Sequence, residues 1–202
     1  MEKGRICLWL LVGFLLCGCQ TNSMQEEVII KQFDQFFEQI RVLFGHHIKE
    51  DGVFFNEHYH TENDINEKLA PLMTDEGMDQ LLDELYEFKT GKYVYNGKLQ
   101  EYLHERSQAD YYPTLRSTVF NPGIRMILEE DLNISIEGNK AKVIAENAPV
   151  LYYDENSPYG QHHFGMLGYP AIDYLTVHVD MEREGEEFFI SSFSIEASSS
   201  LN

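Results

Sequence analysis

The last third of the chain alternates apolar and polar residues as a β-strand with one buried face does. Every second residue from 175 to 181 is apolar: Leu175, Val177, Val179 and Met181. A turn at Gly185 follows, and residues 186–195 return as a partner strand. Residues 132–137 alternate in the same way. This period of two predicts an antiparallel sheet with one face against a core.

A further strand is predicted after the turn at Gly138-Asn139. It begins with residues 140–145 and continues through residues 150–153, past Pro149. Residues 154–172 are rich in Gly, Pro, Tyr and His, and we predict a long loop there.

The first half predicts helices that can cover this sheet. Apolar residues recur every three or four positions between residues 26 and 44: Ile29, Phe33, Phe36, Phe37, Ile40, Leu43 and Phe44. This spacing is typical of one face of an amphipathic helix. Asp64 and Glu67 have the spacing of a helix cap and its partner, and Thr74 is placed to cap another helix. Helices followed by antiparallel strands predict an α+β domain with a curved, cone-shaped sheet.

Between these parts, Asn96-Gly97 predicts the two-residue turn of a hairpin. The flanking residues 92–95 and 98–102 have strand-like composition. Residues 46–60 and 104–123 are predicted to be mainly irregular. The chain then divides into residues 1–19, a polar tether over residues 20–25 and a single domain over residues 26–202.

The charge balance excludes one class of partner. The chain has 15 Lys and Arg against 34 Asp and Glu, a formal net charge of −19. Such a surface repels nucleic acids and anionic lipids, so a membrane attachment would need a covalent lipid. A basic envelope protein would be attracted, although strong acidity often serves solubility alone.

Residues 1–19 have the layout of an export signal. Lys3 and Arg5 precede an apolar run over residues 8–16 that is shorter than a membrane-spanning helix. The ending Leu16-Cys17-Gly18-Cys19 resembles the lipobox of bacterial lipoproteins. The resemblance implies a diacylglyceryl (palmitate-bearing) Cys19 and a domain held on the extracytoplasmic face of the cell membrane. The alternative is a plain secretory signal with incidental cysteines.

Two further resemblances concern the domain. Residues 181–193, an acidic turn before an aromatic-rich strand, are similar to the last hairpin of nuclear-transport-factor-like and cystatin-like α+β proteins. Residues 64–69, 72–77 and 96–99 resemble segments of the secreted, IseA-like DL-endopeptidase inhibitors. That family implies a non-enzymatic domain that blocks a cell-wall hydrolase. Neither resemblance identifies binding residues in this chain.

Histidines are the candidate metal ligands. In an extended chain, His58 and His60 would lie on the same side, about 6.5–7 Å apart. The candidate set also includes the paired histidines of two other segments: His46, His47, His162 and His163. Nitrogen ligands of this kind suit zinc or copper. The alternative is that these histidines are only solvated.

A candidate pocket is the other site. His178 and Asp180 lie on the polar side of their strand, and on a concave sheet face they could act as an acid–base pair beside Tyr174. The alternative is a strand face open to solvent.

Known catalytic motifs are absent from the sequence, which has no nucleophile elbow, phosphate loop or dinucleotide fingerprint. We therefore expect a lipid-anchored, extracytoplasmic binding domain without catalysis or cofactor, acting on cell-wall machinery. The two alternatives are a zinc- or copper-binding lipoprotein and a small-ligand pocket.

Overall fold

A computed structural model describes residues 23–105 and 107–198. The export signal and Cys19 lie outside the described residues. The N-terminal half has α1 over residues 23–40, β1 (His47–Glu50), β2 (Val53–Asn56), α2 (Glu62–Leu69), α3 (Asp75–Leu85), β3 (Tyr86–Lys89), β4 (Lys92–Tyr95), α4 (Gly97–Glu105) and α5 (Tyr111–Leu115). The C-terminal half has β5 (Asn133–Glu137), β6 (Lys140–Leu151), α6 (Pro158–His163), β7 (Ile172–Glu184) and β8 (Glu187–Ala197).

The four long C-terminal strands form one antiparallel sheet in the order β5-β6-β7-β8. Its apolar face is buried, and one register row aligns Val143, Val179 and Phe193. Helix α1 packs on this face, with the rings of Phe36 and Phe193 6.0 Å apart. The predicted α+β class, with helices on a curved antiparallel sheet, is confirmed. Within the described ranges, none of the helices has both the length and the apolarity needed to cross a bilayer.

Strand β6 runs through Pro149 as one strand, as predicted. A bulge lies between Ala145 and Ala148. Pairing with β5 ends at Ile144, so beyond that point β6 is paired only with β7. A proline, which lacks the N–H donor, can therefore be accommodated there.

Two helix starts are capped by threonine. Thr74 caps α3 as predicted, because its Oγ1 accepts a hydrogen bond from the Gly77 N–H at 3.2 Å. For α2 the predicted cap, Asp64, was wrong by three residues. Thr61 is the cap, and Asp64 is its partner in a capping box. Threonine and aspartate are both common cap residues, and in the structure the helix begins after the earlier of the two, Thr61.

The predicted hairpin at Asn96-Gly97 was wrong. Strand β4 pairs instead with β3, through a turn in which Thr90 and Gly91 have φ of 51° and 82°. Asn96 starts α4, since its Oδ1 accepts a hydrogen bond from the Leu99 N–H at 3.2 Å. Asparagine is common both in hairpin turns and at helix caps. The sequence around Asn96 therefore did not distinguish a hairpin from a helix start.

Segments predicted as irregular contain regular structure. Residues 47–56 form a second hairpin, β1-β2, whose turn places Asp51 and Gly52 at φ of 49° and 86°. Residues 104–123 include α5. Helix α1 begins at residue 23, so the predicted tether over residues 20–25 was wrong for residues 23–25, and residues 20–22 lie outside the described part of the chain.

The outer edge of β8 is covered by the segment that precedes and opens α3. The N–H of Ile190 donates to the Leu72 carbonyl, and its own carbonyl accepts from the Thr74 N–H, both at 2.9 Å. Further along, the Gln80 side-chain amide bonds both backbone groups of Phe193. At Ile190 and Phe193 these bonds occupy the backbone groups that another chain would need for pairing.

Gly77 allows this close approach, because a Cβ at position 77 would overlap the Ile190 carbonyl oxygen. Gly77→Ala should therefore lower the free energy of unfolding by about 1–3 kcal/mol, although alanine is usually favoured over glycine in helices. The matched control is Gly97→Ala in α4, where no atom lies within 4 Å of the new methyl group. Urea unfolding of both variants measures the difference. Equal or increased stability of Gly77→Ala would contradict the packing described.

Candidate functional site

The geometry predicted for His58 and His60 was wrong, because residues 57–59 form a bend instead of an extended strand. Buried Asn56 causes the bend: its Oδ1 accepts hydrogen bonds from the N–H groups of His58 (2.8 Å) and Tyr59 (3.1 Å). The His60 Nδ1 lies 3.1 Å from the Asn56 carbonyl. The His58 ring instead lies beside His46, with centroids 4.8 Å apart.

The other predicted ligands lie in separate places. His47 Nδ1 is 3.2 Å from the Tyr95 hydroxyl, on the β1 side of the N-terminal half. His162 and His163 lie on α6, with ring centroids 5.4 Å apart. Within residues 23–105 and 107–198, no group of three or more His, Cys, Asp or Glu side chains has metal-holding geometry. Zinc or copper binding stays a prediction.

The predicted pocket around His178, Asp180 and Tyr174 was wrong in its placement. The helices cover the opposite, apolar face of β7, which is filled by the core. His178 is exposed on the outer face, while Asp180 and Tyr174 are partly exposed there. Asp180 bonds Ser192 Oγ at 3.0 Å and pairs with Lys142 at 3.2 Å. These contacts are the cross-strand neighbours expected on a solvent-facing sheet surface.

A buried polar network that the sequence did not reveal joins β7 to α5. The carboxylate of Asp173 accepts two hydrogen bonds from the Arg116 guanidinium, from Nε and Nη2, both at 2.6 Å. It also accepts from the Tyr112 hydroxyl at 2.6 Å. The Tyr152 hydroxyl lies 2.9 Å from that of Tyr112 and donates to Asn121 Oδ1 at 3.0 Å. A buried carboxylate with this many donors is well compensated.

The network has a defined ionisation state. Desolvation raises the pKa of Asp173, but hydrogen bonds from Arg116, Tyr112 and the Tyr174 N–H outweigh it, so the pKa is lowered overall. Desolvation raises the pKa of the Tyr112 and Tyr152 hydroxyls. At neutral pH an ionised carboxylate therefore faces protonated phenols. Its members are buried except for Arg116, which is partly exposed, and the network ties β7 to residues 112–121.

An open groove lies beside β5, at the edge of the sheet. We call it the acidic groove; its volume is about 630 Å³ and its lining is Glu130, Asp131, Leu132, Asn133, Ile134, Ile144 and Glu146. Three of these side chains are carboxylates, and no lysine or arginine is among the described residues that line the groove. None of the three forms an ion pair within the described part of the chain.

Strand β5 is also the uncovered edge of the sheet. It pairs with β6 on one side, and in the described ranges no backbone group of residues 133–137 bonds to anything on the other side. The groove therefore combines free backbone donors and acceptors, apolar side chains and negative charge. Those are the features that accept an added basic strand.

Comparison with protein-family models, with curated protein sequences and with solved structures gives no match.

Acid should weaken the fold through Asp173. Because its pKa is lowered on folding, its contribution to stability is complete above the ordinary aspartate pKa of about 3.9. The contribution is lost as pH falls through the lower folded value. Asp173→Asn should cost about 2–4 kcal/mol at pH 7, and this difference from wild type should shrink towards pH 3.

Urea midpoints between pH 7 and pH 3 measure this effect. The control is Asp180→Asn, the same change on the same strand but on the outer face, which should cost little at any pH. A difference for Asp173→Asn that stays constant as the pH falls would show that the carboxylate charge is not what the network uses.

Proposed function

We propose that this protein is a lipid-anchored, extracytoplasmic binding domain without catalytic activity, whose acidic groove binds a basic, extended segment of an envelope protein. The observation that carries the proposal is the juxtaposition of an unpaired strand edge with three unpaired carboxylates. The anchor rests on the lipobox resemblance of residues 16–19.

The backbone of β5 supplies the first part of the binding. An extended segment added to this edge would extend the four-stranded sheet to five strands, and its N–H and C=O groups would pair with those of β5. The β8 edge is less accessible, since residues 72–74 and Gln80 already bond to it at Ile190 and Phe193. Any strand addition is thereby directed to one side of the sheet.

Side chains supply the specificity. Alternate residues of an added strand point to opposite faces of the sheet. On the core side Leu132 and Ile134 offer apolar contacts, and on the outer side Ile144 does. Lysine or arginine at neighbouring positions would meet Glu130, Asp131 and Glu146. The overall negative charge would steer a basic partner towards the groove and would repel acidic ones.

The partner class follows from the compartment and from the resemblance to DL-endopeptidase inhibitors. A domain held at the outer face of the membrane by Cys19 would meet cell-wall enzymes there. Because the full chain carries a formal net charge of −19, the lipid would also have to hold the domain against the repulsion of anionic headgroups.

The anchor is tested by labelling cells with palmitate. Wild-type protein should incorporate the label, and Cys19→Ser should remain an unlabelled, uncleaved precursor because no thiol is left at the acceptor position. Cys17→Ser is the matched control and should be labelled normally. Label on Cys19→Ser would exclude this cysteine as the lipid attachment site.

The groove is tested with a fluorescent peptide of alternating lysine and valine, and with its glutamate–valine counterpart. Fluorescence anisotropy should show binding of the basic peptide only, weakening as salt rises. Neutralising the three groove carboxylates (Glu130→Gln, Asp131→Asn, Glu146→Gln) should weaken binding by about tenfold or more. Hydrogen exchange of residues 133–137 should slow in the complex.

The control neutralises three acids at the β7-β8 turn (Glu184→Gln, Glu186→Gln, Glu187→Gln) and keeps the same net charge as the groove variant. It should bind the peptide as wild type does. An equal loss of peptide affinity in both variants, or unchanged hydrogen exchange along β5, would contradict the proposal. The peptide would then bind through the overall negative charge and not at the groove.

A further inference from the structure

A second, smaller cleft has the opposite character to the acidic groove. It lies between the C-terminal end of α1 and residues 111–125, and its volume is about 70 Å³. Apolar side chains form its walls, among them Phe37, Phe44 and Leu115. Two arginines, Arg41 and Arg125, also line it. In a chain with 34 acidic and 15 basic residues, two guanidinium groups on so small a cleft set it apart from the rest of the surface.

The two arginines already hold a carboxylate. Glu38, one turn before Arg41 on α1, bonds Arg41 Nη2 through Oε1 at 2.5 Å and Arg125 Nη1 through Oε2 at 3.1 Å. Two guanidinium groups against one carboxylate leave one positive charge in excess. All three side chains remain partly exposed, so an incoming anion can reach them. Arginine pairs of this kind recognise carboxylates through charge-assisted hydrogen bonds.

The wall beside the arginines is held in place by the buried network. Asn121 lines the cleft, and its Oδ1 accepts hydrogen bonds from the Tyr152 hydroxyl at 3.0 Å and the Gly123 N–H at 2.8 Å. Phe44 packs on Phe120 with ring centroids 5.2 Å apart. A cleft with fixed walls needs little ordering when a ligand enters, which favours the binding of small molecules.

We propose that this cleft binds a small carboxylate with a short aliphatic tail. The ligand's carboxylate takes the place of Glu38 on one or both arginines, and its tail lies against Phe37 and Phe44. The volume corresponds to roughly five water-sized positions, which suits a tail of three or four carbon atoms. This site is independent of the acidic groove and of the lipid anchor.

The test follows the arginine side-chain Nε–Hε signals in the full chain, labelled with ¹⁵N-arginine and held in a non-ionic detergent. Butyrate is the probe, and butyramide is its neutral match. Butyrate should shift the Arg41 and Arg125 signals saturably, with a Kd of about 1–10 mM. The Arg116 and Arg183 signals should stay in place, and butyramide should move none of the four.

Glu38→Gln separates a ligand site from a purely structural ion pair. Removing the internal carboxylate should tighten butyrate binding by about tenfold, and adding Arg125→Gln in that background should abolish it. Glu27→Gln, an exposed acid on the same helix, is the control and should leave the affinity unchanged.

Three results would overturn the proposal. They are no saturable shift at either arginine, equal shifts with butyramide, and unchanged or weaker butyrate binding in Glu38→Gln. The comparison of butyrate with butyramide on the wild-type chain decides the matter even if a variant fails to fold.

Discussion

The buried carboxylate of Asp173 is the constraint on which the arrangement of the domain depends. A charge removed from water is tolerated only when donors surround it. Here the donors come from α5, from the residue that follows it and from the backbone of β7. Satisfying this carboxylate therefore brings residues 111–126 onto the sheet. Asn121, at the far end of the same network, forms part of the wall of the arginine-lined cleft.

The two edges of the four-stranded sheet differ in whether their backbone groups have hydrogen-bond partners. At β8, residues 72–74 and the Gln80 amide bond the outward backbone groups of Ile190 and Phe193. Gly77 makes this possible, because any larger side chain would strike the strand. No comparable cover lies over β5 within the described residues. The acidic groove is thus next to the edge of the four-stranded sheet that no described residue covers.

The two surfaces that we connect with binding have opposite chemistry. Glu130, Asp131 and Glu146 favour a basic, extended partner, whereas Arg41 and Arg125 favour a small carboxylate. Because the two surfaces share no lining residue, a protein with a net charge of −19 can also have a site lined by two arginines. Net charge describes the average surface, and individual sites depend on which charged residues the fold brings together.

The sequence by itself determined the elements whose signals repeat along the chain. The period of two in β7 and the period of three to four in α1 each reflect burial of one face, and both were predicted correctly. Thr74 was also predicted correctly as a cap. Local signals failed where one residue type serves two purposes, as Asn96 does when it starts α4 instead of a hairpin turn.

Only the tertiary structure decided the sites. Tyr112, Arg116 and Asp173 are 4 to 61 residues apart in the chain and share no periodic pattern, so nothing in the sequence indicated their network. His58 and His60 were close in sequence, yet a bend imposed by buried Asn56 removed their expected geometry. Periodic patterns report which face of an element is buried. Sites depend on contacts between distant segments, which form only when those faces pack together.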